Sequence, residues 1–196
     1  MIAFRWRVLM VALTTASVIS SRPPTASAQE HEAAVRVAFL ADYGRTETKL
    51  VGLAEAFDAR QFDWRPGPGV RSVREVLALL IGENGALIPE SFGASPLSGF
   101  SAGQQGFSAI KVAAGGASKA TIIEWLRASF AVARAAWNGA DPMTLGEPHP
   151  FFGSQAPASR IAFAVMADQH EHLGQLIAYA RINGVVPPWS QPKVGN

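Results

Sequence analysis

Along most of this chain apolar residues recur every three or four positions, the spacing of a helix, and nowhere do they alternate for long enough to make a convincing strand. From about Glu32 to Phe57, the residues Val37, Leu40, Ala41, Gly44, Thr48, Val51 and Glu55 keep that spacing. Arg36, Arg45 and Lys49 lie toward the other side, so a first helix with the former set inward is expected. Pro66-Gly67-Pro68-Gly69 forbids continuation, because proline removes a donor and glycine disfavours the helix. Phe62 and Trp64 are expected to pack this connection onto the core. Ser72-Val73-Arg74-Glu75 has the form of a capping box. It opens a second helix from Val73 to about Ile88, stopped by Pro89, with Val76, Leu77, Leu80, Ile81, Asn84 and Leu87 as a broad apolar side.

The stretch from Ser91 to Gly116 is rich in Gly, Ser and Ala, yet it carries Phe92, Leu97, Phe100 and Phe107. So long a link needs a reason. If the second and third helices run parallel, the chain must return along their whole length, and the aromatic residues would hold that crossover down. The competing reading is a lid over a site. Ser118 caps a third helix, Lys119 to about Asn138, with Ile122, Trp125, Leu126, Phe130, Ala133 and Trp137 on one stripe. Gly139 and Asp141-Pro142 end it. After a second Pro- and Gly-rich link, a fourth helix starts near Pro157 and runs to Asn183. There Gly184 supplies a left-handed cap and Pro187-Pro188 prevents continuation. Four helices with long links predict an all-α fold, a four-helix bundle.

Residues 1–28 stand apart from this pattern. Arg5 and Arg7 make a basic start, Val8 to Ser20 is an apolar run of thirteen residues, and Ala26-Ser27-Ala28 gives a small-x-small cleavage pattern. These features in this order describe an export signal. The run is shorter than the roughly 20 residues a spanning helix takes. Cleavage after Ala28 leaves a single domain of 168 of the 196 residues, exported to the periplasm or beyond the cell, with no stable membrane span. It also removes Arg5, Arg7 and Arg22 from 17 basic residues, leaving 14 against 15 acids, a net charge of −1. No dense Lys/Arg cluster survives to hold nucleic acid. There is no cysteine, which excludes disulfides, thiolate nucleophiles and Cys-type zinc sites together.

The candidate chemistry sits on the fourth helix. Ile161, Val165, Asp168, His172, Leu176 and Tyr179 share one face, and that face turns polar in its middle. A carboxylate and an imidazole four residues apart can be two ligands of a divalent metal, or an internal Asp–His hydrogen bond. On the second helix Glu83 is the one acid of an apolar run. Pointing inward, it would complete an O,O,N set with Asp168 and His172, suited to Zn, Ni, Mn or Fe; pointing outward, it is a surface acid. His170 falls on the opposite side, toward solvent. His149, between two prolines, could approach the mouth of the bundle.

Three segments resemble the DinB-like superfamily of four-helix-bundle proteins. They are Phe62-Asp-Trp-Arg-Pro-Gly-Pro-Gly-Val-Arg-Ser-Val73, Glu75-Val-Leu-Ala-Leu79 with Asn84, and His170-Glu-His-Leu-Gly-Gln-Leu-Ile-Ala-Tyr-Ala-Arg181 with Asn183-Gly184 and Pro187-Pro-Trp189. The resemblance implies an up-down-down-up bundle and a three-histidine metal site, with one ligand from the second helix and two from the fourth. It also implies a link to relatives that use such a site for thiol-cofactor transfer or isomerisation. By position, His172 matches the last ligand, Asp168 stands at the middle one, and Leu79 stands where the second-helix histidine is expected. Aspartate can replace histidine at a metal; leucine cannot.

Two functions follow as expectations. One is an exported enzyme with a degenerate divalent-metal site, a metal-dependent hydrolase or thiol-dependent transferase acting on a small-molecule substrate. The other is a bundle that has lost the metal and serves as a small-molecule-binding or interaction module. A homodimer is compatible with either. The leader itself is open to test: the exported protein should have the mass of a chain beginning at Gln29. An intact mass that retains residues 1–28 would contradict the cleavage.

Overall fold

The computed structural model describes residues 26–141 and 145–191, with side chains from residue 33 onward. The expected leader therefore lies outside the described residues, apart from Ala26-Ser27-Ala28 at the start of α1. The chain is mostly helical with one small hairpin. Helix α1 is Ala26–Ala56, α2 is Val73–Gly82, a π turn covers Glu83–Leu87, and α3 is Ile88–Ser91; α4 is Gly103–Gly116, α5 is Lys119–Gly139 and α6 is Ala158–Ile182. Strands β1, Pro148–Phe151, and β2, Ser154–Pro157, pair antiparallel. Helix α1 packs against α5 and α6, and α2 lies against α4, α5 and α6. Among the described residues no helix is long and apolar enough to cross a membrane.

The α2 segment starts as its sequence predicts. Ser72 Oγ accepts from the Glu75 N–H at 3.2 Å, and Glu75 Oε2 accepts from the Ser72 N–H at 2.7 Å, so two otherwise orphaned donors are satisfied. The expected stop at Pro89 is not where the helix ends. The chain continues helically to Ser91 because residues 83–87 widen into a π turn, in which the Ile88 N–H donates to the Glu83 carbonyl. Pro89 has no N–H to give the Gly85 carbonyl. Leu97 supplies the missing donor from the following link, at 2.8 Å. The exchange needs close approach, since a Cβ on Gly85 would lie 2.9 Å from Leu97 Cβ.

Three expectations need correction. The buried face of α1 is Phe39, Tyr43, Thr46, Leu50, Val51, Leu53 and Ala54, so Val51 lies inward as expected, while Val37 is 67% exposed and Ala41, Thr48 and Glu55 face out. The large rings of Phe39 and Tyr43 decide the rotation of the helix, because they bury far more apolar area than the Val and Ala residues on the expected stripe. The long link contains a helix, α4, whose Phe107, Ile110 and Ala114 are buried against α2. Its four glycines read as loop, yet Gly106 sits where a Cβ would strike the Ser101 carbonyl. The second link holds the hairpin, turned by Phe152 and Gly153, both at positive φ, as a two-residue turn between right-twisted strands requires.

At the C-terminal end Gly184, at φ 72°, takes the left-handed cap. The Val185 N–H then reaches the Ala180 carbonyl at 2.8 Å, closing the last turn of α6. Trp64 anchors the first connection: its ring meets Tyr179 edge-on at 5.2 Å, and its carbonyl accepts from the Val73 N–H. Trp189 in the tail is 42% exposed, with Lys49 Nζ 5.7 Å from its ring. Pro187, which is buried, and Pro188, which lies over Gly52, hold the tail instead. Trp64→Ala should therefore destabilise the protein by roughly 1.5–3 kcal/mol, and Trp189→Ala by clearly less. Equal thermal shifts for the two variants would contradict this assignment.

Candidate functional site

The centre of the protein is polar where α2 gives way to the π turn. Glu83 is 5% exposed and Asn84 is fully covered. The residues around them, from Val76 to Pro89, are buried without interruption. A buried polar group must find partners inside. Asn84 Oδ1 accepts from the Tyr43 hydroxyl and, at 2.6 Å, from Gln169 Nε2. This links α1, the π turn and α6 through one amide oxygen. Gln169 is fully buried and was not singled out in the sequence; its place one residue after Asp168 is the only signal it offered.

Glu83 points inward and meets Asp168. Its carboxyl is pushed up to about 9, chiefly by burial, and further by the charge of Asp168 and the hydrogen bond shared with it; Arg71 pulls weakly the other way. Glu83 Oε2 and Asp168 Oδ2 are buried and accept no well-formed hydrogen bond from the protein, with His172 Nε2 3.3 Å from Asp168 Oδ2. Two facing carboxyl oxygens repel unless a proton or a cation lies between them. At neutral pH the proton on Glu83 meets that requirement.

His172 completes the group. Its Nε2 lies 3.3 Å from Asp168 Oδ2, and the two side chains are 14% and 35% exposed. The other ring nitrogen is fixed by a chain of donors and acceptors. The Tyr179 hydroxyl donates to the Arg71 carbonyl at 3.1 Å, and Gln175 Nε2 donates to Tyr179 Oη at 2.6 Å. Gln175 Oε1 then accepts from His172 Nδ1 at 2.7 Å. With Nδ1 carrying hydrogen, Nε2 presents either a lone pair or a second proton toward Asp168.

The structure thus brings Glu83, Asp168 and His172 toward one centre. The donor types, two oxygens and one nitrogen, suit a borderline divalent metal, and the two orphaned carboxyl oxygens are free to bind one. Among the described residues no three His, Asp or Glu side chains group closely enough to hold a metal ion, and Leu79 is buried at the position on α2 expected to carry a ligand. His170 is not merely solvated. Its Nε2 lies 3.1 Å from the buried Thr46 Oγ1 and 3.0 Å from Asp42 Oδ2, tying α6 to α1. Arg45 and then His170 hold the Asp42 carboxyl below its usual range. His149 lies on β1, paired with Ala156, and its Nε2 is buried without a partner.

A family model described as the DinB superfamily matches residues 42–176, and the chain belongs to that superfamily. The crystal structure of a DinB-like protein from Bacillus cereus is similar in fold, with a TM-score of 0.59 at 18% identity, covering 76% of this chain and 93% of that one. No curated protein matches the chain.

The acid pair gives stability a signed pH dependence. Glu83 binds its proton more tightly folded, near 9, than in its ordinary state at 4.5. Its contribution is therefore complete below about 4.5 and is lost as pH rises through 9. Glu83→Gln keeps the hydrogen-bonding shape without the titration. Its melting temperature relative to the parent should rise steadily from pH 5 to pH 9. A difference that does not change with pH would contradict a buried, proton-holding Glu83.

Proposed function

We propose that this is an exported member of the superfamily that has lost its metal site and binds a small molecule at the part-buried Glu83–Asp168–His172 centre. In this reading α1, α2, α5 and α6 form a four-helix bundle running up, down, down and up, with α4 inside the crossover. The observation that carries the proposal is the pairing of Glu83 with Asp168 beside a buried Leu79. The helix that should supply a nitrogen ligand supplies a methyl group, and the nearest acid is turned onto its neighbour. A neutral acid, a carboxylate and an imidazole side by side offer a polar ligand both donors and acceptors in surroundings with little water to compete.

A second reading keeps the metal. Glu83 Oε2 and Asp168 Oδ2 accept no well-formed hydrogen bond from the protein, and His172 Nε2 faces the same place, so a divalent ion could replace the shared proton. Bound there, a metal would polarise an oxygen or activate water, as a hydrolase or thiol-dependent transferase needs.

Calorimetric titration with Zn and Ni separates the two. The parent protein should bind weakly or not at all. Leu79→His should raise the affinity by restoring a nitrogen ligand. His170→Ala should leave metal affinity unchanged, because that ring is engaged with Asp42 and Thr46 on the α1 side. Tight stoichiometric binding by the parent would favour the metal enzyme, and tight binding that survives His172→Ala would reject the site in either reading.

A further inference from the structure

A second feature lies outside the acid centre, where the first connection meets the start of α2 and the outer side of α4. A cleft of about 360 Å³ opens there between the 65–71 segment, α2 and Lys111, within the size range of small-molecule sites. Its floor is Ala78, 3% exposed, and one wall is Val70. Three cations, Arg65, Arg71 and Lys111, and one acid, Glu75, line it.

The acid is already committed. Glu75 Oε2 accepts from the Ser72 N–H at 2.7 Å and Oε1 from Arg65 at 3.3 Å. The cap holds the carboxylate below its usual range, and Arg65 adds to that. Arg65 also donates to the Val70 carbonyl at 3.4 Å, so its charge is spent on Glu75 and its geometry on bracing the loop. That leaves two cations with no carboxylate at contact distance, Arg71 acting on the neutral Glu83 only weakly through its charge. The Arg71 guanidinium makes no hydrogen bond or ion pair with any described residue. Lys111 Nζ lies only over the Phe107 ring, 5.1 Å from its centre. Arg71 is held in place from behind, since its own carbonyl accepts from Tyr179 and the next residue is the α2 cap. An unpaired guanidinium on a pinned backbone, facing a cleft with an apolar floor, is arranged to receive a planar oxyanion in two-point fashion.

We propose that this cleft binds a small organic oxyanion, a carboxylate or phosphate head gripped by Arg71 and Lys111 with a short apolar body on Val70 and Ala78. The cleft does not include Glu83, Asp168 or His172, so the proposal goes beyond the reading of the acid centre and can fail without affecting it.

Calorimetric titration of the purified protein with phenyl phosphate, benzoate and benzyl alcohol tests it. Both anions should bind, and the neutral alcohol should not. Whichever anion binds more tightly identifies the head group as phosphate or carboxylate. Arg71→Gln should weaken anion binding about tenfold or more, the loss expected for a charge-assisted hydrogen bond. Lys111→Gln should weaken it less, and Arg71→Lys should restore part of the affinity. Because the Arg71 side chain makes no hydrogen bond or ion pair with a described residue and acts on Glu83 only weakly, the melting temperature of the Arg71 variants should stay close to that of the parent. Equal binding of the alcohol, no binding of either anion, or full affinity in Arg71→Gln with Lys111→Gln combined would overturn the proposal.

Discussion

From Val76 through the π turn to Pro89 the chain is buried without interruption, so polar groups in that stretch are cut off from water. The rest of the molecule is arranged around that constraint. α4 covers one flank with Phe107 and Ile110, and α5 and α6 cover others. Pro89 forces the helix to widen, and Leu97 repairs the exposed Gly85 carbonyl. The widened turn holds Glu83 and Asn84, the two polar residues the segment must satisfy internally. π turns inside helices often mark functional sites, and here the turn gives the centre both its acid and its amide.

The polar residues of the centre solve the same problem differently. Asn84 Oδ1 is satisfied by two donors, Tyr43 from α1 and Gln169 from α6, while Asn84 Nδ2 and Gln169 Oε1 are buried without a partner. Glu83 has no cationic partner at contact distance and meets Asp168 instead, so a proton must take the place of a counter-charge. Burial and the neighbouring carboxylate act in the same direction on Glu83, and the result is an acid kept neutral at neutral pH. His172 borders the pair with its far nitrogen anchored through Gln175 and Tyr179 to the Arg71 carbonyl. That same residue, Arg71, presents its guanidinium to the cleft beyond.

Much of this was legible in the sequence, for local reasons. The Ser72–Glu75 box, the Ser118 cap and the Gly184 stop are read from side chains that bond their own backbone. Ile161, Val165, Leu176 and Tyr179 on the inward face of α6 follow from spacing, whereas Gln169, buried in its middle, does not. Rotation of α1 was not legible, because alanine and valine fall on every side of it and the decision belongs to Phe39 and Tyr43 once they find Trp137 and Phe130. Helix α4 was hidden by glycines whose value lies in close approach to other backbone. The direction of Glu83 depends on the π turn, and that turn depends on a donor from Leu97, beyond the window in which helical periodicity is read. In the pattern that the resemblance implies, His172 stands at its expected position, while Leu79 and Asp168 are where this chain departs from it.

The central claim is that Glu83 keeps its proton inside the folded protein at neutral pH. Infrared difference spectroscopy between the parent and Glu83→Gln reads this directly. The parent should show a carboxylic-acid carbonyl band at neutral pH that is missing from the variant and fades in the parent as pH rises through about 9. A parent spectrum with only ionised carboxylate at neutral pH would contradict it.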